Sequence, residues 1–286
     1  MEKQPKLAAA LGFFDGVHMA HKAVLQMAAD AGQESMALVI HRPGGPGLIT
    51  PAQKQAAIYD TGVTHIKEYA FEDIRGLSCE EFVQNILKKE LGLSVAVCGY
   101  NFHFGHGGTG DSDLLQTLCR KAGMEALVAP PVFYEGEAVS STRVRTLLSQ
   151  GDIEKANILL TRPFSYDFEI VHGQKMGRTL GAPTLNQYFS GNYCLPKFGV
   201  YASKVVIDGQ TFYGATNIGM RPTVGSHRPV SETWMPDYQG GELYGQEISV
   251  ALHHFIRAER TFEGVEALRT QIHADGQAAK EYFAGQ

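Results

Sequence analysis

The first residues able to do chemistry stand near the amino terminus, in Gly12-Phe-Phe-Asp-Gly-Val-His-Met-Ala-His21. The apolar run before them, Leu7–Leu11, reads as a buried strand, so the segment lies where a strand hands over to a helix. Gly12 and Gly16 allow tight turns and a close ligand approach around Phe13 and Asp15. His18 and His21 are three apart and share a face on a helix's opening turn. A helix start offers unpaired N–H groups and a positive dipole, a site suited to phosphate. Two imidazoles there can donate hydrogen bonds to phosphate oxygens as charge builds during transfer. Alone, the pair reads equally well as surface or capping histidines.

Three more segments carry chemistry. Ser140-Ser-Thr-Arg-Val-Arg145 puts hydroxyls and two guanidiniums just after an expected strand, and Arg is suited to bidentate phosphate recognition. Val97-Cys-Gly-Tyr-Asn-Phe-His-Phe-Gly105 runs into a glycine-rich loop, His106 to Gly110, closed by Asp111. Asn101 and the aromatics Tyr100, Phe102 and Phe104 can hold a planar ring, or can equally be core. Gly173-Gln-Lys-Met-Gly-Arg-Thr-Leu-Gly181 is a glycine-punctuated loop whose Lys175 and Arg178 can balance a polyphosphate. Thr184 and Asn186 follow it as two oxygen ligands, a set that suits Mg²⁺ completed by waters and substrate phosphates.

The elements that must position these residues differ between the two halves. Short apolar runs at Leu7–Leu11, Met36–Ile40, His65–Tyr69, Val95–Cys98 and Ala126–Ala129 alternate with helical patterns. One such helix opens at Thr50-Pro51-Ala52-Gln53, another at the capping box Ser78-Cys-Glu-Glu81. This alternation predicts a Rossmann-like parallel sheet, with ligands beyond the carboxyl ends of its strands. Near Leu159–Ser165 the texture changes to strands at Phe168–His172, Val200–Ile207, Thr211–Ile218 and Glu247–Ile256. Asp208-Gly209 makes a hairpin between two of these, and a helix over about Val265 to Phe283 ends the chain. The fold class expected is α/β: residues 1–160 form the parallel-sheet domain and residues 161–286 a small antiparallel β-barrel with a terminal helix.

Composition narrows the class. The chain has 286 residues, 44% hydrophobic and 19% charged, with a formal net charge of −5. That balance disfavours a general nucleic-acid binder, which needs a surplus of Lys and Arg. No apolar stretch approaches the roughly 20 residues needed to cross a bilayer. The four cysteines are scattered, without a C-x-x-C pair, which suits a cytoplasmic protein without zinc or disulfides. A monomer or weak homo-oligomer is expected.

The order G-x-F-D-G-V-H-x-x-H, G-Y-N-F-x-F-G-x-x-x-x-G-D and S-S-T-R-x-R resembles the nucleotidyltransferase module of bacterial bifunctional riboflavin kinase/FAD synthetases. In the second half G-x-x-x-G-R-x-L-G-x-P-T-x-N, N-I-G-x-R-P-T, E-T-x-x-x-D and L-Y-G resemble that family's riboflavin kinase module. The resemblance runs from Leu7 to about Lys280. It implies phosphorylation of riboflavin to FMN, then adenylylation of FMN to FAD with loss of pyrophosphate, using ATP and Mg²⁺. By resemblance, His18 and His21 act at the reacting phosphates, with Gly12, Phe13, Asp15 and Gly16 around them. Ser141, Thr142 and Arg143 hold the triphosphate. Asn101, Phe102, Phe104 and Asp111 contact nucleotide or flavin. Lys175, Gly177, Arg178 and Gly181 form the kinase flap, Thr184 and Asn186 serve Mg²⁺, and Glu232 is the base for the riboflavin 5′-hydroxyl. The chain departs from the family pattern at Ala20, at His103 and at His41, one place earlier than usual. Two other readings therefore stand beside the first: a riboflavin kinase with a degenerate adenylyltransferase module, and a non-catalytic flavin or nucleotide sensor.

Overall fold

The computed structural model describes residues 6–41, 44–173, 184–189, 191–223 and 226–285, with 221–223, 226 and 227 described by backbone alone. In chain order the strands are β1 (Leu7–Gly12), β2 (Glu34–His41), β3 (His65–Ala70), β4 (Val95–Gly99), β5 (Glu125–Ala129), β6 (Phe133–Tyr134) and β7 (Glu137–Ala138). They continue as β8 (Phe164–Glu169), β9 (Thr184–Tyr188), β10 (Gly199–Ile207), β11 (Gln210–Thr223), β12 (Ser226–Trp234) and β13 (Glu247–Ala258). The helices are α1 (Met19–Ala31), α2 (Pro51–Tyr59), α3 (Phe71–Ile74), α4 (Cys79–Glu81, widening to a π-helix over Phe82–Glu90), α5 (Ser112–Lys121), α6 (Ser141–Gln150), α7 (Ile153–Leu160) and α8 (Val265–Ala284).

Backbone contacts divide the chain into two compact units, Met1–Gly45 with Pro51–Ser141, and Pro46–Thr50 with Thr142–Gln286. The expected break at 160/161 coincides with the end of α7, where helical texture stops. Helix α7 is nevertheless tied to the second unit: Asn157 donates to the Leu252 carbonyl at 2.8 Å and accepts from the Phe164 N–H at 2.7 Å.

In the first unit β3-β2-β1-β4-β5 form one sheet, and every pairing is parallel. Ala8, Ala9 and Ala10 are fully buried at its centre. Helix α1 lays Val24, Leu25 and Ala28 on this unit's core, the spacing of a single helical face. The Ser78 capping box forms as the sequence predicts: the Ser78 N–H donates to Glu81 Oε2 at 2.8 Å, and the Glu81 N–H to Ser78 Oγ at 3.1 Å. Strand order reverses between β1 and β4. The loops leaving those two strands therefore flank the crevice where such sheets bind ligands.

In the second unit six antiparallel strands, ordered β8-β13-β10-β11-β12-β9, curl into a half-barrel. Asp208 and Gly209 both take positive φ, 49° and 78°, as a type I′ hairpin turn requires. Gln187 on β9 donates from Nε2 to the Phe168 and Ile248 carbonyls at 2.6 and 2.7 Å, stitching the edge strands together. The interior contains hydroxyls paired with one another: Thr216 bonds Ser203 at 2.6 Å and Thr233 at 2.9 Å. Helix α8 covers part of the outer face, burying Ala279 against Val200, Ala202 and Ala215. Among the described residues no helix is long and apolar enough to cross a membrane.

Candidate active sites

The corner between β1 and α1 is tightly wound. Phe14, Gly16 and Val17 take φ of 48°, 84° and 39°; for a β-branched valine this is a strained conformation, of the kind that gathers at functional sites. Phe14 is buried with its ring over Gly12, where a Cβ would come within 3.1 Å. The glycine thus makes room for an aromatic wedge. The wedge meets His21 edge-on, centroids 5.5 Å apart. Phe13 is 42% exposed at the rim.

His18 caps α1, its Nδ1 accepting from the His21 N–H at 3.4 Å. Accepting at Nδ1 leaves a neutral His18 with its proton on Nε2. The two rings stack at 3.7 Å. Nδ1 of His21 is enclosed without a hydrogen-bond partner. Burial, then His18, then Lys54 hold the His21 pKa well below its ordinary value. Ser141 donates from Oγ to the Asp15 carbonyl at 2.8 Å and so pins this loop to the start of α6. The structure thus brings His18, His21, Asp15, Gly16 and Ser141 together. Thr142 and Arg143 follow on α6 within the second unit, Thr142 exposed and Arg143 half-buried. The sequence reading passed over Lys54, one turn into α2, whose ammonium donates to the Phe13 carbonyl at 3.3 Å.

The loop after β4 separates its candidates. Asn101 is exposed beyond the strand end. Phe104 is buried in the core against Phe82 and Phe102, and its backbone bridges to Gly110 at 3.0 and 2.9 Å, closing the glycine loop on itself. Of the two readings that the sequence leaves open for Phe104, ring holder or core residue, its burial favours the second. Phe102 is partly buried on the same cluster. The Asp111 carboxylate caps α5, accepting from the Leu114 N–H at 2.9 Å. His41 ends β2 within 3.2 Å of Glu68.

On the half-barrel, strand register assembles the second set. Glu232 stands opposite Asn186 on one neighbouring strand and Asn217 on the other. Directly paired residues face the same side of a sheet, and Thr184, two residues before Asn186, joins them. Asn186 is buried, its Nδ2 at 3.0 Å from the Thr184 carbonyl and 3.2 Å from Thr184 Oγ1. Gly173 passes so close that a Cβ there would lie 2.6 Å from Asn186 Oδ1. Glu259, which the sequence reading did not single out, rests its carboxylate over Gly219. Burial raises its pKa, Arg257 opposes the shift and the nearby Glu232 adds to it. Lys175, Gly177, Arg178 and Gly181 lie outside the described residues.

Comparisons with known proteins find two family models, one in each half of the chain. A riboflavin kinase family model matches residues 160–283, and an FAD synthetase model matches residues 1–143. A bifunctional riboflavin kinase/FMN adenylyltransferase of Pseudomonas fluorescens is 38% identical over 96% of this chain and 93% of its own length. Proteins of the same description from Bacillus subtilis and Escherichia coli are 34% and 33% identical, over 99% and 96% of this chain and 94% and 91% of theirs. The crystal structure of a macrolide-efflux protein from Streptococcus pneumoniae superposes with a TM-score of 0.86 at 24% identity, covering 98% of this chain and 95% of that one. That last likeness is one of fold. Two family models fill the chain in succession, and relatives above 30% identity align with nearly all of it; the chain is a transferase belonging to the family of bifunctional riboflavin kinase/FMN adenylyltransferases.

Proposed function

We propose that each half of the chain carries one of the two reactions, phosphorylation on the half-barrel and adenylylation at the β1–α1 corner, with residues 1–160 and 161–286 as the functional halves. The observation that carries this reading is the register placing Glu232, Asn186, Asn217 and Thr184 on one face of β9, β11 and β12. In the first reaction the riboflavin 5′-hydroxyl oxygen forms a bond to the γ-phosphorus of ATP, Glu232 takes its proton and ADP leaves. Thr184 and Asn186 would hold Mg²⁺, which neutralises phosphate charge when bound. Their donor set fits a hard cation. The Asn186 amide already lies against Thr184 Oγ1 at 3.2 Å, so the two side chains stand side by side. Lys175 and Arg178, with Gly177 and Gly181, are assigned to the polyphosphate of that ATP.

In the second reaction an FMN phosphate oxygen attacks the α-phosphorus of ATP and pyrophosphate departs. The protein's part is placement and charge stabilisation. His18 and His21 donate to phosphate oxygens from the first turn of α1. Gly12, Phe13, Asp15 and Gly16 shape the loop, and Ser141, Thr142 and Arg143 take the triphosphate. Asn101, Phe102 and Asp111 are assigned to the flavin or nucleotide side. ATP, riboflavin and FMN are the small-molecule partners, and the protein acts in the cytosol as a monomer or weak homo-oligomer.

Purified protein given riboflavin and Mg·ATP forms FMN first and FAD later on a chromatographic time course. Glu232→Gln stops the first product yet leaves FAD formation from supplied FMN intact. Loss of both activities in that variant, or FMN accumulation without FAD in the unaltered protein, overturns the two-site reading.

A further inference from the structure

We infer that Lys54 binds the ATP triphosphate at the β1–α1 corner and stabilises the negative charge that collects on the departing pyrophosphate. The inference rests on the reading of that corner as the adenylylation site, and it begins with the winding of α2. Pro51 is the helix's first residue, with its φ already fixed for helix. The buried residues of α2 are Ala57 and Ile58. Lys54 precedes them by three and four positions and so lies on the same inward face. An inward lysine carries its aliphatic stem along apolar surface and delivers its ammonium at the far edge. Here that edge is the β1–α1 loop, where Nζ donates to the Phe13 carbonyl at 3.3 Å.

The surroundings say why a cation is needed there. The first turn of α1 has no acidic residue, so no carboxylate within that turn balances the helix dipole. Burial, then His18, then Lys54 disfavour the charged form of His21. A neutral imidazole supplies a hydrogen bond and no net charge. Adenylyl transfer moves negative charge onto pyrophosphate as the bond between the α-phosphorus and the bridging oxygen breaks. Helix dipole and imidazoles provide partial charges; an ammonium within reach adds a whole positive charge to them.

Lys54 fits that requirement in two respects. Its field is felt at His21, so it stands within electrostatic range of the phosphate-facing histidines. Its partial burial already lowers its own pKa, opposed by Asp15 and Glu68, so the ammonium is poorly hydrated and gains more from an anionic ligand than a solvated surface lysine does. Asp15 also accounts for an otherwise odd feature, a carboxylate in a loop meant for phosphate: it tempers Lys54 while the site is free of nucleotide.

The test compares the unaltered protein, Lys54→Met and Lys54→Arg with supplied FMN and Mg·ATP, following FAD and pyrophosphate together. The methionine variant should lose about 100-fold in kcat for FAD formation, the loss typical of removing one preorganised charge-stabilising donor. The arginine variant should recover at least a tenth of the original rate, because it restores charge but not shape. Riboflavin phosphorylation should stay within twofold in both. If the unaltered protein makes FAD and Lys54→Met matches it in kcat and in ATP affinity, the inference about Lys54 falls while the site reading stands. An equal loss in the methionine and arginine variants, without change in thermal melting, would also overturn the role of charge. If the unaltered protein forms no FAD from FMN, it is the site reading that fails.

Discussion

The imidazole rings of His18 and His21 stack with centroids 3.7 Å apart and 15° from parallel. Two positive charges at that separation repel strongly in a partly desolvated corner, and burial adds to the cost of charging His21. The pair is thus set to act as neutral hydrogen-bond donors.

A pH dependence follows from which state holds the proton. In the unfolded chain His21 titrates near the ordinary histidine value of 6.5, and in the folded chain it titrates lower. Between those values the unfolded state binds more protons, so stability is full above about pH 6.5 and is lost as pH falls. The loss can reach roughly 1.4 kcal/mol per pH unit while only the unfolded form is protonated. Calorimetric melting of the first unit from pH 8 to 5 should show this slope, and His21→Asn should flatten it. Parallel curves for the two proteins would count against a buried neutral His21.

Gly173 controls the seat of Asn186. A Cβ at 2.6 Å from Asn186 Oδ1 and 2.7 Å from its Cγ and Nδ2 cannot be accommodated without displacing the amide. Gly173→Ala should therefore push Asn186 away from Thr184 and cut riboflavin phosphorylation by about 100-fold, the penalty expected when a positioning group moves by an ångström. FAD formation from FMN should be unchanged, since Gly173 belongs to the half-barrel unit. Steady-state assays of each half-reaction decide it; an alanine variant with normal kinase activity would mean that Asn186 does not need this position.

Much of this architecture could be read from pattern. The five parallel strands announce themselves as apolar runs because both faces of β1, β2 and β4 are covered, and Asp208-Gly209 identifies its turn by the positive φ that it requires. Strands β9 and β12 carry no such signal. Their inward residues include Gln187, Ser231 and Thr233, all fully buried, so apolar alternation is absent where hydrogen bonds replace it. Strand β8 begins at Phe164, ahead of the expected Phe168, because its pairing with β13 starts at Leu252. Core and ligand aromatics look identical in a sequence, hence Phe104. Lys54 and Glu259 read as solvated charges until the fold turns one toward Phe13 and lays the other over Gly219.

A buried ion pair ties the terminal helix to the half-barrel. Arg257 on β13 grips Asp275 on α8 with two bonds of 2.8 and 2.6 Å, and Gln271 adds a third to the same carboxylate at 2.6 Å. Asp275 is 3% exposed, so removing it strands a guanidinium whose side chain is only 20% exposed. Leaving a buried charge unpaired costs about 3–5 kcal/mol, more than the pair itself contributes over an apolar substitute. Asp275→Ala should therefore lower the melting temperature of the half-barrel unit by roughly 10 °C. Arg257→Met combined with Asp275→Leu should recover a good part of that loss, because neither side chain then leaves a charge behind. Kinase activity should fall near the lowered melting point and stay measurable well below it, since neither residue is assigned to the substrates. If Asp275→Ala melts within about 2 °C of the unaltered protein, α8 is held without this pair, through Ala279, Tyr282 and Phe283 on Val200, Ala202 and Ala215 and through Lys280 on Asp237.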